Sequence, residues 1–355
     1  MKPIIITGLD IGSSKVSAVA LEVSGTGLVT ILAYESQAST GVSRGAITNM
    51  EKASHCVERV LSKLGEKIRT KPTNIYTNIT GEDIKGEKSR GMIPLSSRGR
   101  EVTSSDVTKC INAAGTIRLA FDREIIHRLV LNFSIDDQPS IKNPLGLYAS
   151  RLYCEMYMIT ANLNHIQNIF KCVNNAGYDL KEVVYSGLAD GAGVIEDEWK
   201  EAGVMLLNIG ASLTEASIFH AGNLSSLDVI PLGGTDIKGS LKESPVFNDI
   251  LSRVKTKSED FIRKGGDIKS AVIAGGLTFN EGVVDMLEEK LSYTVKMASV
   301  KNLQGNITAI DGLRGLTAIG LARYVTVQYQ PKRFEPKGAV KTISNKVIEI
   351  FNNYF

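Results

Sequence analysis

Two stretches of this sequence repeat one plan: an apolar strand, a short turn with glycine and serine, and a second apolar strand. The first is residues 4–21, with the turn Asp10-Ile11-Gly12-Ser13-Ser14-Lys15. The second is residues 203–219, with the turn Asn208-Ile209-Gly210-Ala211-Ser212. Apolar, β-branched runs separated by so short a gap predict a β-hairpin. A hairpin that occurs twice in this form predicts two similar domains facing each other.

The residues of the first turn suit a phosphate group. Gly12 has no side chain to hold the backbone away, the hydroxyls and amides of Ser13 and Ser14 donate hydrogen bonds, and Lys15 is positively charged. Asp10 ends the first strand, where its carboxylate can hold the water shell of Mg²⁺. An ordinary polar hairpin explains either turn alone, but the duplication favours a nucleotide between two domains. A Rossmann unit differs, because there a single glycine loop opens a helix.

Composition excludes several classes of function. The 355 residues suffice for two domains with separate cores, and a formal charge of +3 is too small to indicate nucleic acid as a partner. The four cysteines show no metal-binding spacing, which predicts buried reduced thiols and a cytoplasmic protein. The histidines form no cluster and receive no chemical role here. We find no signal peptide and no apolar run long enough to cross a bilayer. The cysteines are Cys56, Cys110, Cys154 and Cys172, and the histidines are His55, His127, His165 and His220.

The two hairpins resemble those of the actin and heat-shock-chaperone ATPase superfamily, and a longer match identifies a family within it. Residues 81–152 resemble the extra subdomain of the bacterial cell-division FtsA family. The matching segments are Gly81 to Pro94, Gly99-Arg100-Glu101-Val102-Thr103, Asp122-Arg123-Glu124-Ile125, Ile141-Lys142-Asn143-Pro144-Leu145-Gly146-Leu147 and Arg151-Leu152. The residues agree with such a module, since Thr103 and Asp106 form a capping box before an amphipathic helix.

The resemblance implies an α/β protein with the actin-like two-domain ATPase fold, built from duplicated ribonuclease H-like domains with an FtsA-type inserted subdomain. We expect the first domain to comprise residues 1–80 and 156–197, and the insertion residues 81–155. The second domain then spans residues 198–328. A linker (329–338) and a terminal helix (339–355) follow. Residues 183–198 and 309–324 resemble the two interdomain helices of the superfamily.

The resemblance also implies ATP and Mg²⁺ as ligands, with the second turn binding phosphate through Gly210, Ala211 and Ser212. The superfamily usually has Asp at the position of Asn208. An asparagine can hydrogen-bond a water on Mg²⁺, so Asp10 and Asn208 are the predicted metal residues. Because Asn208 cannot act as a base, binding is better supported than hydrolysis, and we assign no catalytic residue.

A third glycine turn follows the strand at residues 271–274. Gly275, Gly276 and Leu277 resemble the adenosine motif of the superfamily, although an ordinary strand-to-helix turn is the alternative. Residues 235–270, which stand where FtsA has a full subdomain that grips adenine and docks the tail of FtsZ, are too few for a separate core. Both the wall of the purine site and the FtsZ-docking face are therefore in question.

The terminal segment has an amphipathic helical pattern after a proline-bounded linker. From Lys332 onward it carries five basic residues and two acidic ones, which favours an anionic lipid surface. Half-burial of its apolar side chains contributes on the order of 5 kcal/mol, which is enough when many copies bind together. Docking on its own domain is the alternative, but FtsA carries a membrane helix here. The apolar face comprises Val340, Ile343, Val347, Ile350, Phe351 and Tyr354.

Two functional hypotheses follow. The first is an ATP-binding actin homologue, at most a weak ATPase, that polymerises on the cytoplasmic face of the membrane. Its partners would be FtsZ, further copies of itself, other division proteins and the anionic membrane surface. The second is a nucleotide-independent membrane scaffold or adaptor, similar to those of pilus assembly. A sugar or acetate kinase is poorly supported, because no candidate base lies in a substrate loop.

Overall fold

The computed structural model describes residues 3–24, 28–136, 138–300, 304–305 and 307–329. The chain forms two compact units. Among the described residues, the larger comprises those up to Lys85 and those from Ala161 to Tyr329, and the smaller is Gly86–Thr160.

The described residues form both β-strands and α-helices. In chain order they are β1 (Ile4–Ile11), β2 (Lys15–Val23), β3 (Val29–Ala38), β4 (Val42–Ser43), β5 (Ala46–Ile47), α1 (Met50–Ile68), β6 (Ile75–Ile79), β7 (Lys85–Pro94), β8 (Arg100–Glu101), α2 (Ser104–Ala114), β9 (Arg123–Ile135), β10 (Gln138–Ile141), β11 (Tyr148–Ala149), β12 (Arg151–Asn162), α3 (Leu163–Asn175), β13 (Leu180–Tyr185), α4 (Ser186–Val194), α5 (Asp197–Ala202), β14 (Val204–Ile209), β15 (Thr214–His220), β16 (Asn223–Ile230), α6 (Pro245–Arg263), β17 (Ser270–Ala274), α7 (Val283–Leu291), β18 (Thr294–Met297), β19 (Gln304–Gly305), α8 (Ala309–Arg314) and α9 (Leu316–Tyr329).

The larger unit contains two sheets with the same core arrangement. The first has the order β13-β6-β1-β2-β3-β19 and the second β16-β15-β14-β17-β18. In each sheet the first strand of a hairpin pairs antiparallel with its own second strand, β1 with β2 and β14 with β15. On its other side it pairs parallel with a later strand, β6 or β17. Both predicted hairpins and the duplication are confirmed.

The two sheets are linked by helices that meet through small residues. Helices α4 and α9 cross so closely that a Cβ on Gly320 would lie 2.0 Å from the carbonyl oxygen of Ala189. The same helix α9 packs on β1, where a Cβ on Gly8 would lie 2.0 Å from the carbonyl oxygen of Ala318. Only glycine at these positions lets the backbones approach so closely.

The expected bounds of both interdomain helices are wrong. Residues 183–185 belong to β13, because this β-branched run pairs in parallel with β6. Helix α4 covers the next nine residues, and a separate short helix, α5, follows. The second predicted helix, residues 309–324, is interrupted at Gly315, which separates α8 from α9.

The smaller unit has its own core and its own capped helix. Its larger sheet has the order β10-β9-β12-β7. The predicted capping box of α2 is confirmed, with the side chain of Thr103 and that of Asp106 each accepting from the other's backbone N–H. Arg100 adds a bidentate pair to Asp106, with N–O distances of 2.6 and 2.8 Å. The buried face of α2 packs on β9 and β12, whose core side chains include Phe133, Leu152 and Met156.

Residues 235–270 contain little secondary structure, as the sequence predicts. Two single 3-10 turns precede α6, which begins with Pro245 and is capped by Ser244. The apolar face of α6 packs into the core of the second sheet, through Phe247, Ile250, Leu251 and Val254. The segment therefore extends the core of the second sheet instead of building a core of its own.

The prediction for the cysteines is confirmed, whereas that for the terminal helix is untested. The four cysteines are buried and unpaired, as predicted. No helix in the described part of the chain is long and apolar enough to cross a lipid bilayer. The terminal amphipathic helix, residues 339–355 with its six apolar positions, lies outside the described residues.

Candidate functional site

The three glycine turns line one cavity of about 480 Å³ in the larger unit. The first turn comes from the β1–β2 hairpin, the second from the β14–β15 hairpin, and the third follows β17. All of the predicted nucleotide and metal residues are among those that line it: Asp10, Gly12, Ser13, Ser14, Lys15, Asn208, Gly210, Ala211, Ser212, Gly275, Gly276 and Leu277. The duplicated fold therefore brings together residues that are up to 267 positions apart in the chain.

The two serine turns are in direct contact. The hydroxyl of Ser212 donates to Oγ of Ser13 at 2.8 Å. In each hairpin the glycine N–H donates across the turn, from Gly12 to Lys15 and from Gly210 to Leu213. Each turn is thus fixed by its own strand pair, and the two hydroxyls meet between the halves of the unit.

Asp10 is the centre of a buried polar cluster at the first turn. Its Oδ2 accepts from Lys15 Nζ at 3.3 Å and from Ser17 Oγ at 3.4 Å, while its Oδ1 accepts from Asn78 Nδ2 at 3.0 Å. Burial alone would lower the pKa of Lys15, but the carboxylate of Asp10 and other nearby acidic groups outweigh it and raise that pKa. Asn78 also accepts from the N–H of Ile11 at 2.8 Å. The positions of Asp10 and Lys15 are therefore fixed from several sides.

At the second turn, Asn208 is hydrogen-bonded to a buried carboxyl group. Its Nδ2 donates to Oδ2 of Asp190 on α4 at 2.5 Å. Asp190 is completely buried, and its Oδ1 has no hydrogen-bond partner among the described residues. Burial raises the pKa of Asp190 to about 7. The carboxyl group that contacts Asn208 thus comes from a different element of the chain, helix α4.

A second carboxyl group, Glu215, lines the cavity from β15. It pairs with Asn208 across the β14–β15 ladder and is 7% exposed. Its Oε1 has no partner within the described residues. Burial, followed by the charge of Asp190, raises the pKa of Glu215 to about 8. The sequence analysis did not single out Glu215, although an acidic residue within a buried apolar strand can indicate a functional site.

The third turn provides open space next to the phosphate loops. Gly275 has a φ of 89°, and a Cβ there would lie 2.3 Å from the carbonyl oxygen of Ile209. By contrast, a Cβ on Gly276 would have no neighbour within 4 Å. The exposed side chains of Phe279 and Arg314 line the same cavity, and neither was singled out from the sequence. The turn therefore combines close packing on one side with room for a ligand on the other.

These residues fit ATP and Mg²⁺ in their chemistry. The space at Gly276 suits a nucleoside, and the donors of the two serine turns suit phosphates. Within the described residues, no group of three or more His, Cys, Asp or Glu side chains could hold a metal ion. Mg²⁺ commonly keeps several waters and is held by one or two carboxylates together with phosphates. Asp10 and Asn208, which both line the cavity, fit that mode.

The smaller unit matches a known sequence family. Residues 81–160 match the family described as the SHS2 domain inserted in FtsA. The match covers the segment from the end of β6 to the end of β12 and agrees with the compact unit seen in the structure.

Curated relatives of this chain include FtsA proteins. The chain is 32% identical to the cell division protein FtsA of Borreliella burgdorferi over 64% of this chain and 55% of that protein. It is 29% identical to FtsA of Pseudomonas aeruginosa, over 72% of this chain and 58% of that protein. FtsA of Escherichia coli strain K12 is 28% identical over 67% of this chain and 56% of its own length. The chain thus spans somewhat more than half the length of these relatives.

Solved structures show the same fold at low sequence identity. A chain of the PilM-PilN type IV pilus biogenesis complex matches with a TM-score of 0.66 and 14% identity, over 90% of this chain and 98% of that chain. The ethanolamine utilization protein EutJ from Carboxydothermus hydrogenoformans matches with a TM-score of 0.52 and 12% identity, over 91% of this chain and 90% of that chain. The protein therefore has the actin-like ATPase fold. Within that class it is a relative of the cell-division protein FtsA and carries the inserted domain of that family.

Proposed function

We propose that the cavity binds ATP together with Mg²⁺. The observation that carries this proposal is the meeting of two serine turns and a glycine turn around one space, with Ser13 and Ser212 in hydrogen-bond contact. Lys15 adds a positive charge to the first turn, and Gly276 leaves room for the nucleoside. The actin-like ATPase fold, shared with the solved structures above, agrees with such a ligand.

Each turn has its own part in this proposal. Gly12, Ser13, Ser14 and Lys15 bind phosphate from one half, and Gly210, Ala211 and Ser212 bind it from the other. Gly275, Gly276 and Leu277 lie beneath the adenosine. Mg²⁺ supplies positive charge to the phosphates, and Asp10 and Asn208 hold its water shell. Because Asn208 has no basic group, the nucleotide acts as a conformational ligand more than as a fuel.

Thermal unfolding with Mg-ATP tests the nucleotide site. We expect a ligand excess of about 100-fold over Kd to stabilise the protein by about 2.7 kcal/mol, which raises Tm by about 5 °C. Asp10→Ala should lose this shift, because it removes the carboxylate that contacts Lys15 and Asn78. The exposed Asp179→Ala is the matched control and should keep it. No shift in the wild-type protein at millimolar Mg-ATP contradicts the proposal.

We further propose that the protein is a division actin: it polymerises at the cytoplasmic membrane surface and tethers FtsZ and other division proteins there. Support comes from the FtsA relatives and the inserted domain shared with them. The short segment at residues 235–270 leaves the FtsZ contact as the least supported part, since the docking subdomain implied by the family is reduced to α6 and two turns.

Co-sedimentation with anionic liposomes tests the membrane tether. The full chain is expected to pellet with vesicles that contain phosphatidylglycerol, because residues 339–355 combine an apolar face with basic residues. Deletion of residues 339–355 should abolish pelleting, and neutral vesicles should reduce it. Equal pelleting of the truncated protein would rule out this anchor.

A nucleotide-independent scaffold is the second candidate. It is favoured by Asn208 and by the small size of the 235–270 segment, which leaves less wall around the base. The pilus biogenesis complex contains a protein of the same fold, so assembly roles outside division belong to this candidate. Membrane binding without any ATP-dependent change in Tm is the result expected from it.

A further inference from the structure

Each half of the cavity contains a pair of one aspartate and one asparagine, and the two pairs have opposite orders. In the first half, Asp10 is the next-to-last residue of β1, and Asn78 on β6 donates to its Oδ1 at 3.0 Å. In the second half, Asn208 is the next-to-last residue of β14 and donates to Oδ2 of Asp190 on α4 at 2.5 Å. The strand position that lines the cavity therefore holds a carboxylate in one half and an amide in the other.

The contact with Asp190 fixes which end of the Asn208 amide is available to a ligand. A carboxylate only accepts hydrogen bonds, so the donor end of the amide, Nδ2, faces Asp190. The acceptor end, Oδ1, lies next to the third glycine turn, where a Cβ on Gly275 would be 2.5 Å from it. Asn208 and Gly275 both line the cavity. The acceptor end of Asn208 is therefore fixed beside that turn, while the donor end is bound to α4.

The position of Asp190 is fixed by the crossing of the two helices that link the sheets. The residue is completely buried, and the side chain of Thr317 on α9 is its second hydrogen-bond partner. A Cβ on Gly320 of α9 would lie 3.3 Å from the backbone nitrogen of Asp190, so the two helices pack directly at this point. Its Oδ1 has no partner among the described residues, and a buried polar atom without a partner lowers stability. The contact with Asn208 therefore explains this carboxyl group better than packing does.

The first half of the cavity needs no such orientation. Both oxygens of Asp10 accept hydrogen bonds, so either oxygen can face a ligand. The donors around it, Lys15, Ser17 and Asn78, hold the carboxylate in place. An asparagine at the equivalent position has one acceptor end and one donor end, and a neighbouring group must select between them. Asp190 makes that selection, because its carboxylate can pair only with the donor end of Asn208.

We propose that Asp190 is a positioning residue that makes the second half of the site bind the water shell of Mg²⁺ instead of a phosphate. A water on a metal ion donates hydrogen bonds outward, whereas phosphate oxygens accept them. With Oδ1 toward the ligand, Asn208 can accept from such a water. The reversed amide would present Nδ2 and donate to a phosphate. This inference rests on the nucleotide site proposed above, and it makes the site selective for a nucleotide that carries its metal ion.

Titration calorimetry with Mg-ATP, and with ATP in the presence of EDTA, tests the role of Asp190. We expect the wild-type protein to bind Mg-ATP at least about tenfold more tightly than metal-free ATP. Asp190→Ala removes the group that orients the amide and adds no volume to the helix crossing. It should weaken Mg-ATP binding by about tenfold, the loss expected from one hydrogen bond near a charge, and metal-free ATP binding by less than about threefold. An equal loss for both ligands would mean that Asp190 has a structural role only, and would overturn the proposal.

An exchange of the two residues provides an independent test if Asp190→Ala does not fold. In the double variant Asp190→Asn with Asn208→Asp, the carboxylate at position 208 accepts through either oxygen and needs no orientation, and the asparagine at position 190 can donate to it as Asn78 does to Asp10. This variant should bind Mg-ATP at least as tightly as the wild type. If Asn208 instead donates to a phosphate, the exchange places a negative charge against that phosphate and Mg-ATP binding is lost, which overturns the proposal. Asp179→Asn, an exposed position, is the matched control and should bind both ligands as the wild type does.

The outcomes also separate this inference from the function on which it rests. If the wild-type protein binds metal-free ATP as tightly as Mg-ATP, Asn208 does not contact the water shell of the metal ion, and the nucleotide site stands without this role for Asp190. If the wild-type protein binds neither ligand, the nucleotide site and the inference are both overturned. A loss in Asp190→Ala that is confined to Mg-ATP, together with Mg-ATP binding by the exchange variant, supports both.

Discussion

As pH rises from 5 to 8.5, the wild-type protein is expected to lose stability, and Glu215→Gln is expected to remove most of that loss. The carboxyl of Glu215 is buried in the cavity wall, with one oxygen unpartnered, and its pKa is raised to about 8. In the unfolded chain the same group ionises near its ordinary pKa of about 4.3. Between these values the folded state keeps a proton that the unfolded state has released.

The sign of the effect follows from this difference in bound protons. Stability falls as pH rises wherever the folded state binds more protons than the unfolded state. Glu215 therefore contributes nothing unfavourable below about pH 4 and a full penalty above about pH 8, on the order of 5 kcal/mol over that window. Glutamine has no proton to release, so the variant should lack this decline. Asp190, with a pKa raised to about 7, adds a decline that remains in the variant.

Chemical denaturation at several pH values, without Mg²⁺ or nucleotide, measures the difference. Glu289→Gln changes an exposed acidic residue on α7 and is the matched control, expected to follow the wild-type curve. Parallel curves for Glu215→Gln and the wild type would mean that Glu215 is ionised in the folded protein.

Gly320→Ala is the second large effect expected. A Cβ at this position would lie 2.0 Å from the carbonyl oxygen of Ala189 and 2.6 Å from its carbonyl carbon, so α4 and α9 must separate. Overpacking of a close contact typically costs 1–3 kcal/mol, and a backbone neighbour leaves little room for relief, so we expect a loss of about 3 kcal/mol. The loss should appear as a lower denaturation midpoint.

A glycine in the neighbouring helix provides the control. A Cβ on Gly312 in α8 would have no neighbour within 4 Å, so Gly312→Ala should be neutral or stabilise the protein by up to about 1 kcal/mol through helix propensity. If both variants lose the same stability, the helix crossing is not the cause, and the helix propensity or the fold of this region would have to be reconsidered.

The turns that line the cavity could be predicted because each is encoded within a few neighbouring residues. A strand, a glycine and a serine at fixed spacing mark both hairpins, and the duplication indicates that they face each other. The capping box at Thr103 and Asp106 is local in the same way. The cap of α1 is local as well: the side chain of Asn49 accepts from the N–H of Lys52, and the helix begins at Met50.

The residues that the sequence did not reveal act through distant contacts. Asp190 is one position in a helix that the pattern describes only as small and apolar, and its contact with Asn208 depends on the crossing of α4 behind β14. Nε2 of His165 lies 3.2 Å from the carbonyl oxygen of Gly45, 120 residues away in the chain. Nothing near His165 in sequence suggests the contact. The start of the first interdomain helix was missed because residues 183–185 pair in parallel with β6, a strand that is distant in the chain.

The bond between Asp83 and Asn162 joins the two points at which the chain leaves and re-enters the larger unit. Because those points are one hydrogen bond apart, the backbone can be closed there by a very short loop without moving β6 or α3.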